Sequence, residues 1–550
     1  MQRDLGGALL ISHSQQGIRG WWAALTVVIL GASLVGGCMY LRGVARQRDY
    51  EAREDRRPGL WLSKHILERD TFFVYGRLLG DDSDSSPRHA MSVAAISSRY
   101  RSDEIVDITH LGKTGSYFGL NLPAGSYTLL VLADGDDDGS YEASEVVGSR
   151  PLQLTHSSFP RKVAPHIDLR LRAATTARLA ALPMRVPASA PRRESLFYPK
   201  GTLRSLRDPI FDPGMSELGM YDPAAFMEAA PMMFYALEDD LPHKVAVIFV
   251  HGMGGSARDF ESMVGRLDRT RYKAWFFHYP SGMDLAQLAQ LFHDIFLSGK
   301  VNPFMGVPVV IVAHSMGGLV VREALNLCES LPGEVAVDSI ITIATPLGGQ
   351  PAARRGIDSA PMVVPAWRDL DPTGRFVAGL FRRPLPRLTA HHVIYTYQDA
   401  AALASGAATD GVVAVASQLP AAARSQFTTV AGFQSGHGEI LRARAAQDRV
   451  LALVRRAQNP LPEDHLRMLA RGGFHVPLGP SYSELEKWAI RNYGLHLQAL
   501  VSGELKPIFP VHEHFILVDR GAAPPTNPFE TAWLKLKADH PELTGAAPTP

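Results

Sequence analysis

Ser315, Asp410 and His437 are residues whose types and surroundings suit acyl-transfer chemistry. Ser315 lies in the sequence Ala-His-Ser-Met-Gly-Gly, at the end of the apolar run Val309–Ala313. A serine hydroxyl is a weak nucleophile until a base takes its proton, and that base needs a carboxylate to orient it. Asp410 and His437 follow Ser315 in the chain, and each has glycine beside it. Together they could supply a nucleophile, an orienting acid and a base.

Other assignments of these roles stay open. Asp399 lies closer to the end of its predicted strand and is the alternative acid. His391 and His392 are alternative bases, but two adjacent histidines before an apolar run are more typical of the start of a strand, which favours His437. Ser315 could instead be a helix cap that follows a buried strand.

A second glycine-rich segment, Val250–Gly255, ends an apolar run earlier in the same region. Its sequence, Val-His-Gly-Met-Gly-Gly, lets the main chain approach a substrate closely. Backbone N–H groups held in a dry pocket stabilise the oxyanion of an acyl intermediate, and each lowers the barrier by about 3 kcal/mol. The alternative, a phosphate-cradling loop, is disfavoured because the lysine and hydroxyl of a P-loop are missing.

Strands and helices alternate over residues 240–458, and these elements must position the candidate residues. The predicted strands are Lys244–Val250, Tyr272–His278, Pro308–Ala313, Ser339–Ala344, His392–Tyr397 and Phe427–Ala431. The predicted helices are Ser256–Leu267, Asp284–Leu297, Leu319–Ser330 and Glu439–Arg456. This alternation predicts an α/β fold with a doubly wound, mostly parallel sheet that is covered on both faces. Its chemistry should lie at the carboxyl ends of the strands.

Several of these segments resemble those of the α/β-hydrolase family over residues 240–458. The Ser315 segment resembles its nucleophile elbow, G-x-S-x-G, with alanine in place of the first glycine. Val250–Gly255 resembles the oxyanion loop of lipases in that family, and Ile343–Gly349 resembles its A-T-P-x-x-G segment. The Asp-Gly-Val-Val sequence that begins at Asp410 resembles the segment that carries the acid in lipase-like members.

The resemblance implies roles for five residues of this sequence. Ser315 would be the nucleophile, His437 the base and Asp410 the acid of a catalytic triad. The backbone amides of Met253 and Met316 would form the oxyanion hole. The implied enzyme is a lipase- or esterase-like serine hydrolase that cleaves carboxylic esters, lipids among them, and needs no cofactor for catalysis.

Two other functions stay open from the sequence. An acyltransferase or an amidase would use the same triad and differ only in acceptor or leaving group. A non-catalytic, calcium-dependent envelope protein is the third alternative, although candidates for all triad members are present. Metalloenzymes and nicotinamide-dependent oxidoreductases are disfavoured, because neither H-E-x-x-H nor G-x-G-x-x-G after a strand occurs.

A proline-containing insertion separates Gly349 from His392. In the family that this sequence resembles, such an insertion often forms a cap over the pocket. Met362–Val364, Trp367 and Phe376 would then supply an apolar lining. A packed surface excursion is the alternative.

The N-terminal residues 1–41 are predicted to be a signal or anchor segment. Trp21–Leu41 is the one apolar run long enough to span a bilayer. Near its end, Leu34–Cys38 resembles a bacterial lipobox, in which Cys38 would become the lipidated first residue. The alternative is an uncleaved transmembrane helix. Either would tether the protein to a membrane of the bacterial cell envelope.

A charged linker, residues 42–67, leads to a second predicted domain, residues 68–172. Short β-branched and aromatic runs separated by turn residues predict a small antiparallel β-sandwich here. Leu122–Tyr127 resembles a hairpin turn of transthyretin-like domains.

An acidic loop in this domain has the spacing of a calcium site. Asp134, Asp136, Asp138 and Glu145 fit the pattern D-x-D-x-D-G-x5-E. Alternate carboxylates can surround one Ca²⁺ ion, and the glutamate can complete the shell with two oxygens. The alternative is an acidic hairpin tip, because aspartate and glycine are good turn formers.

Two segments carry no predicted chemistry. Residues 173–239 are interpreted as a linker that packs on the next domain, and residues 459–550 as a C-terminal extension. Within that extension, Tyr482–Asn492 is predicted to be a helix and Phe515–Val518 a strand.

The composition excludes several classes of protein. Net charge is +1, from 56 basic and 55 acidic residues among 550, so nothing favours nucleic acid as a partner. The hydrophobic fraction of 46% excludes wholesale disorder. Two cysteines are too few for a disulfide scaffold or a cysteine-built zinc site.

Overall fold

The computed structural model describes most of the chain from residue 39 to residue 544. The described residues are 39–53, 65–79, 89–97, 105–112, 117–136, 138, 140–141, 145–171, 182–183, 202–230, 232–239, 241, 243–299, 307–329, 334–386 and 388–544. Cys38 lies outside them, as does nearly all of the apolar run Trp21–Leu41. Among the described residues, no helix combines the length and apolarity needed to cross a bilayer.

The N-terminal part contains helix α1 (39–53) followed by short strands. The strands are β1 (Thr71–Leu79), β2 (Met91–Ser97), β3 (Ile105–Gly112), β4 (Tyr117–Pro123), β5 (Gly125–Ala133), β6 (Ser140–Tyr141), β7 (Val146–Leu154), β8 (Val163–Ala164), β9 (Leu169–Arg170) and β10 (Leu182–Pro183). One sheet has the antiparallel order β3-β2-β5-β7. In the other, β1 pairs antiparallel with β4 and parallel with β8 and β9.

The two sheets share one buried core, as expected for a sandwich. Phe72 and Leu120 come from one sheet, and Val93 and Leu129 come from the other. Each lies on the inward face of its strand, where alternation along the strand places apolar side chains. The predicted antiparallel sheets are therefore present, whereas the likeness to transthyretin-like domains stays a prediction.

The predicted hairpin at Leu122–Tyr127 was wrong. β4 pairs with β1, whereas β5 pairs with β2 and β7, so the chain crosses here from one sheet to the other. The Tyr127 hydroxyl donates a hydrogen bond of 2.8 Å to the carbonyl of Pro123, the arrangement of a tyrosine corner. Short turn sequences do not reveal which strands pair, because pairing is decided by distant parts of the chain.

A seven-stranded sheet dominates the following part of the chain. Its strands are β11 (Phe234–Ala236), β12 (Val245–Val250), β13 (Tyr272–Phe277), β14 (Val309–His314), β15 (Val337–Ile343), β16 (Ala390–Tyr397) and β17 (Thr429–Gln434). The spatial order is β11-β13-β12-β14-β15-β16-β17. Every pair is parallel except β11 with β13. The prediction of a mostly parallel sheet is confirmed.

The centre of this sheet is covered on both faces, because every residue of β12 and β14 is buried. Their near-continuous apolar sequences are typical of such strands. At the edge of the sheet, β11 belongs to the segment 173–239 that was interpreted as a linker. A three-residue strand is too short to show a period in the sequence.

Helices connect and extend these strands. They are α2 (Pro213–Tyr221), α3 (Pro223–Ala229), α4 (Glu261–Val264), α5 (Leu285–Phe292), α6 (Met316–Leu325), α7 (Pro351–Ser359), α8 (Pro365–Leu370), α9 (Arg375–Gly379), α10 (Ala401–Ser405), α11 (Val415–Gln418), α12 (Arg444–Val454), α13 (Glu463–Ala470), α14 (Glu484–Ser502), α15 (Pro510–Asp519), α16 (Pro528–Asp539) and α17 (Pro541–Thr544). A π-helical turn, His293–Leu297, continues α5.

The C-terminal part is helical, so the predicted strand Phe515–Val518 was wrong. These residues belong to α15, which begins at Pro510, a favourable first helical position. Phe515 and Val518 are three positions apart and are both buried on the same side of the helix. A short apolar run fits a helix and a strand equally well, and its periodicity alone could not separate them.

Candidate active site

Ser315 forms the turn between β14 and α6, and its backbone is strained. Its φ is 53° and its ψ is −131°, which a residue with a side chain rarely adopts. The Ser315 N–H donates to the carbonyl of Ile343 at 2.9 Å, which ties the turn to the neighbouring strand. A Cβ at Gly317 would lie 2.7 Å from the carbonyl oxygen of Val250, so this position requires glycine. The sharp turn predicted from the sequence is present.

The structure brings Ser315, His437 and Asp410 together. His437 Nε2 lies 2.9 Å from Ser315 Oγ, and its Nδ1 lies 2.8 Å from Asp410 Oδ2. The Asp410 side chain is fully buried, while that of His437 is 14% exposed. Because a carboxylate only accepts hydrogen bonds, Nδ1 carries the hydrogen and Nε2 is left to accept from the serine hydroxyl.

Asp410 is held by several donors besides His437. Its Oδ1 accepts from the amides of Val412 and Val413 at 2.9 and 2.7 Å. Its Oδ2 accepts from the Thr396 hydroxyl at 2.7 Å. Burial raises the pKa of the Asp410 carboxyl, but the hydrogen bonds from His437 and the other donors outweigh it and hold the pKa below its usual value. Asp410 is therefore a carboxylate at neutral pH.

The alternative acid and bases lie elsewhere. Asp399 is exposed and accepts a hydrogen bond of 2.8 Å from the amide of Ala401 at the start of α10. His391 and His392 are buried in β16, where their rings contact the hydroxyls of Thr342 and Thr429 at 3.0 and 2.8 Å. These two histidines begin a strand, as their sequence context indicated.

Of the two residues predicted to form the oxyanion hole, Met316 directly follows Ser315 in the chain, and Met253 lines the same cleft as Ser315. Met316 is the first residue of α6, so its N–H has no acceptor within the helix. Met253 lies in a turn that is closed by a hydrogen bond from the Gly255 amide to the Gly252 carbonyl, at 3.2 Å. A Cβ at Gly252 would lie 2.8 Å from the Cβ of Ser315, so this loop passes directly against the serine.

The three side chains open into a cleft of about 610 Å³. Its walls come from the loops after β12, β14, β16 and β17, because parallel strands end at the same edge of the sheet. Glycine main chain forms much of the surface. The polar side chains in the walls, besides the three just described, are Asp259, His314, Gln398, Glu439 and Arg442. The apolar side chains are Met253, Val412 and Leu441.

The predicted apolar lining from the insertion was wrong. None of Met362–Val364, Trp367 and Phe376 is among the residues that line this cleft. The insertion forms α7–α9, and Met362 is buried beside α1, where the Tyr40 hydroxyl donates to its carbonyl at 3.1 Å. The apolar side chains of the insertion serve packing, which their sequence alone did not distinguish from pocket lining.

Sequence reasoning missed the groups that support the acid. Thr396, at the end of β16, and Gln418, in α11, both reach Asp410 Oδ2. The Gln418 amide also joins the main chain of Thr396, donating at 3.0 Å and accepting at 2.9 Å. Polar residues scattered along the chain gave no signal, because only the fold brings them together.

The acidic loop of the N-terminal sheets contains a cluster that could bind a metal. Carboxylate oxygens of Asp134, Asp136 and Asp138 all lie within 4.8 Å of one another. Such oxygens suit a hard cation. Glu145 is not part of this group, and its carboxylate accepts a hydrogen bond of 2.6 Å from the Gly135 amide. Of the four predicted ligands, the structure therefore groups the three aspartates.

The chain is distantly similar to several solved structures. No curated protein matches the chain. Among solved structures, the mature lipase BlEst2 from Bacillus licheniformis is 19% identical, with 40% of this chain and 97% of that chain covered and a TM-score of 0.33. Aspergillus fumigatus lipase B is 14% identical, with coverages of 50% and 65% and a TM-score of 0.33. Phospholipase PlaB from Legionella pneumophila is 16% identical, with coverages of 32% and 45% and a TM-score of 0.26.

A family model matches part of the chain. Residues 247–486 match the model of the alpha/beta hydrolase family. This range contains all of the parallel strands described above from β13 onward and four of the six residues of β12. This part of the chain, residues 247–486, is therefore similar to the alpha/beta hydrolase family.

Proposed function

We propose that the protein is a serine hydrolase that cleaves carboxylic esters through an acyl-enzyme. The observation that carries the proposal is the position of His437, whose two ring nitrogens contact Ser315 and Asp410 at 2.9 and 2.8 Å. This is the order of contacts that a nucleophile, a base and an orienting acid require.

In the first half of the reaction, His437 Nε2 takes the proton of Ser315 while Oγ attacks the ester carbonyl. The carbonyl oxygen becomes an oxyanion, which the amides of Met253 and Met316 stabilise. The C–O bond to the alcohol then breaks, and His437 gives its proton to the leaving oxygen. An acyl ester on Ser315 and the free alcohol result.

In the second half, water replaces the alcohol. His437 takes a proton from water, and the hydroxide adds to the acyl carbonyl under the same two amides. Collapse of the intermediate releases the carboxylic acid, and the proton returns to Ser315 Oγ. Asp410 stays ionised throughout and stabilises the imidazolium that forms twice in each cycle.

The charges around the cleft support esters with short or polar groups rather than long alkyl chains. Asp259, Glu439 and Arg442 all face the cleft. An alkyl chain laid against ionised side chains would remove their water without replacing its hydrogen bonds, which is unfavourable. A short acyl group can react without covering them.

The test is hydrolysis of p-nitrophenyl butanoate by Ser315→Ala. We expect the rate to fall to the uncatalysed background with an unchanged melting temperature. Ser405→Ala removes an exposed hydroxyl on α10 and should leave the rate unchanged. Retained hydrolysis by folded Ser315→Ala would contradict the proposal. Transfer of the acyl group to an added alcohol or amine in preference to water would instead favour an acyltransferase.

We also propose that the N-terminal segment tethers the enzyme to the bacterial envelope, with Cys38 as the lipid-bearing residue. The support is the apolar run Trp21–Leu41 and the lipobox-like residues that end at Cys38. Cells fed a labelled fatty acid should label the wild-type protein but not Cys38→Ser. Label that persists in Cys38→Ser would refute lipidation, and membrane fractionation of that variant would then reveal an uncleaved anchor.

For the acidic loop we propose Ca²⁺ as the cation. Three carboxylates give a donor set of hard oxygens, which suits this ion better than a transition metal. Titration calorimetry of the intact protein should show heat with Ca²⁺, and Asp136→Asn should weaken it. If Asp136→Asn gave the same heat with Ca²⁺ as the wild type, or if the wild type gave none, the proposed calcium site would be refuted.

A further inference from the structure

His314 connects the strand that carries the nucleophile to the loop that carries the proposed base. Its Nε2 lies 2.9 Å from the main-chain carbonyl oxygen of His437. Because a carbonyl only accepts, Nε2 carries the hydrogen and donates it. The His314 side chain is buried, and the centre of its ring lies 4.9 Å from that of His437.

The main chain of His437 would be loosely fixed without this bond. Glycines flank it on both sides, at Gly436 and Gly438, and glycine permits many backbone conformations. Its N–H donates to the carbonyl of Asp410 at 3.1 Å, and its C=O accepts from His314. The peptide groups on either side of the base are therefore anchored separately, one to the acid loop and one to the nucleophile strand.

We propose that His314 is a positioning residue that holds His437 within reach of Ser315 by donating to the His437 carbonyl. This inference rests on the proposed function, since it concerns the geometry of the same three side chains. A base displaced by about 1 Å loses roughly 100-fold in rate even when substrate binding is unchanged. Loss of the His314 donor should therefore lower kcat and spare KM.

An uncharged donor suits this position. His437 becomes a cation during the reaction, and a second cation beside it would oppose that charge. Burial, and then the nearby His437, lower the pKa of His314 to about 4. His314 is therefore uncharged at neutral pH and supplies its hydrogen bond without a competing charge.

The experiment compares His314→Leu with His314→Gln on p-nitrophenyl butanoate. Leucine fills similar space without a donor, whereas the glutamine amide nitrogen can occupy the place of Nε2. We expect His314→Leu to lose about 10- to 100-fold in kcat with KM within about twofold of wild type. His314→Gln should recover to within about threefold of the wild-type kcat.

A matched control separates positioning from general stability. His391→Leu removes another buried imidazole that contacts a hydroxyl, on β16 and outside the cleft. It should lower the melting temperature as much as His314→Leu does while leaving kcat unchanged. If His314→Leu does not fold, His314→Gln is compared with His314→Asn instead. The asparagine amide is one carbon too short to reach the His437 carbonyl, so this variant also lacks the donor.

Three results would overturn the inference: a wild-type kcat in His314→Leu, a change in KM alone, or an equal loss of kcat in the glutamine variant. Ser315→Ala is measured alongside. If Ser315→Ala keeps activity, the proposed function itself fails. If Ser315→Ala is inactive while His314→Leu is fully active, only the positioning role fails.

Discussion

At the scale of the residue, the candidate site is defined by hydrogen bonds that leave each group one role. Both oxygens of Asp410 are engaged, Oδ1 by two backbone amides and Oδ2 by side chains that include His437. The carboxylate cannot rotate without breaking several of these bonds. Its charge therefore fixes which nitrogen of His437 carries the hydrogen, and the other nitrogen faces Ser315.

Asp410→Asn should lower kcat by about 10³- to 10⁴-fold with little change in KM. An amide can donate to Nδ1 and would favour the imidazole tautomer that cannot accept the serine proton. Steady-state kinetics on p-nitrophenyl butanoate measure the effect. Asp399→Asn, which alters the exposed alternative acid, is the matched control and should keep the wild-type kcat. The reverse ranking of these two variants would contradict the assignment.

At the scale of the element, the site exists because four parallel strands end at one edge of the sheet. The loops after β12, β14, β16 and β17 carry the glycine-rich segment, the proposed nucleophile, the proposed acid and the proposed base in that order. Two of these loops approach so closely that only glycine fits between them. Gly317, in the first turn of α6, faces the carbonyl of Val250 at the end of β12.

Gly317→Ala should destabilise the protein by about 1–3 kcal/mol, because the added methyl overlaps main-chain atoms that cannot move apart freely. Chemical unfolding followed by circular dichroism measures the change. Gly214→Ala is the control, since its added methyl in α2 meets nothing within 4 Å. It should be neutral or stabilise by up to about 1 kcal/mol. Equal losses of stability in the two variants would show that the close approach is not what Gly317 serves.

Elements with a strong local signal were predictable, and those defined by distant contacts were not. β12 and β14 are near-continuous apolar runs next to glycine-rich turns, so both their extent and the loops after them could be predicted. The helix α15 contains an equally apolar run that was predicted to be a strand. Its state is decided by packing against other helices, among them Trp533 in α16. Likewise, no local feature shows that Thr396 and Gln418 reach Asp410.

At the scale of the whole molecule, polar contacts join the N-terminal sheets to the part that contains the seven-stranded sheet. Lys162 lies 2.9 Å from Asp284 just before α5, and Arg161 lies 2.7 Å from Glu323 in α6. Asp369, in α8, accepts a hydrogen bond of 2.7 Å from the Leu285 amide at the same end of α5. The insertion, the first turn of α5 and the N-terminal part therefore meet at one group of charges.

Asp369 should make the folding stability of the protein depend on pH. Burial, and then the neighbouring Asp284, raise the pKa of Asp369 to about 6. The pKa of Asp369 is higher in the folded protein than in the unfolded chain, so ionising this carboxyl costs more free energy in the folded protein. The resulting loss of folding stability develops as pH rises from about 4 to about 6. Asp369→Asn should therefore match wild type at pH 4 and be more stable at pH 7, by on the order of 1–2 kcal/mol.

Unfolding by urea at these two pH values tests Asp369→Asn. The asparagine oxygen can still accept from the Leu285 amide, so the variant changes the charge and keeps the hydrogen bond. If Asp369→Asn were more stable than wild type at pH 4 but not at pH 7, the pH dependence would have the wrong sign and would contradict the role given to Asp369.

The cleft should favour short acyl chains. An apolar acyl pocket gains about 0.8 kcal/mol for each CH₂ group that it buries, so kcat/KM would rise steeply with chain length. A cleft that contains Asp259, Glu439 and Arg442 offers less of this gain. We expect kcat/KM for p-nitrophenyl esters to stay level or fall from butanoate to octanoate. A steady rise over that series would show that the acyl chain finds an apolar surface.

The most direct test of the central claim is labelling of the folded protein with a fluorophosphonate, followed by mapping of the modified peptide by mass spectrometry. Such a reagent reacts with a serine hydroxyl only when a base activates it. The account predicts one adduct, on Ser315, that disappears in Ser315→Ala and forms far more slowly in Asp410→Asn. An unlabelled Ser315, or an adduct on a different serine, would contradict it.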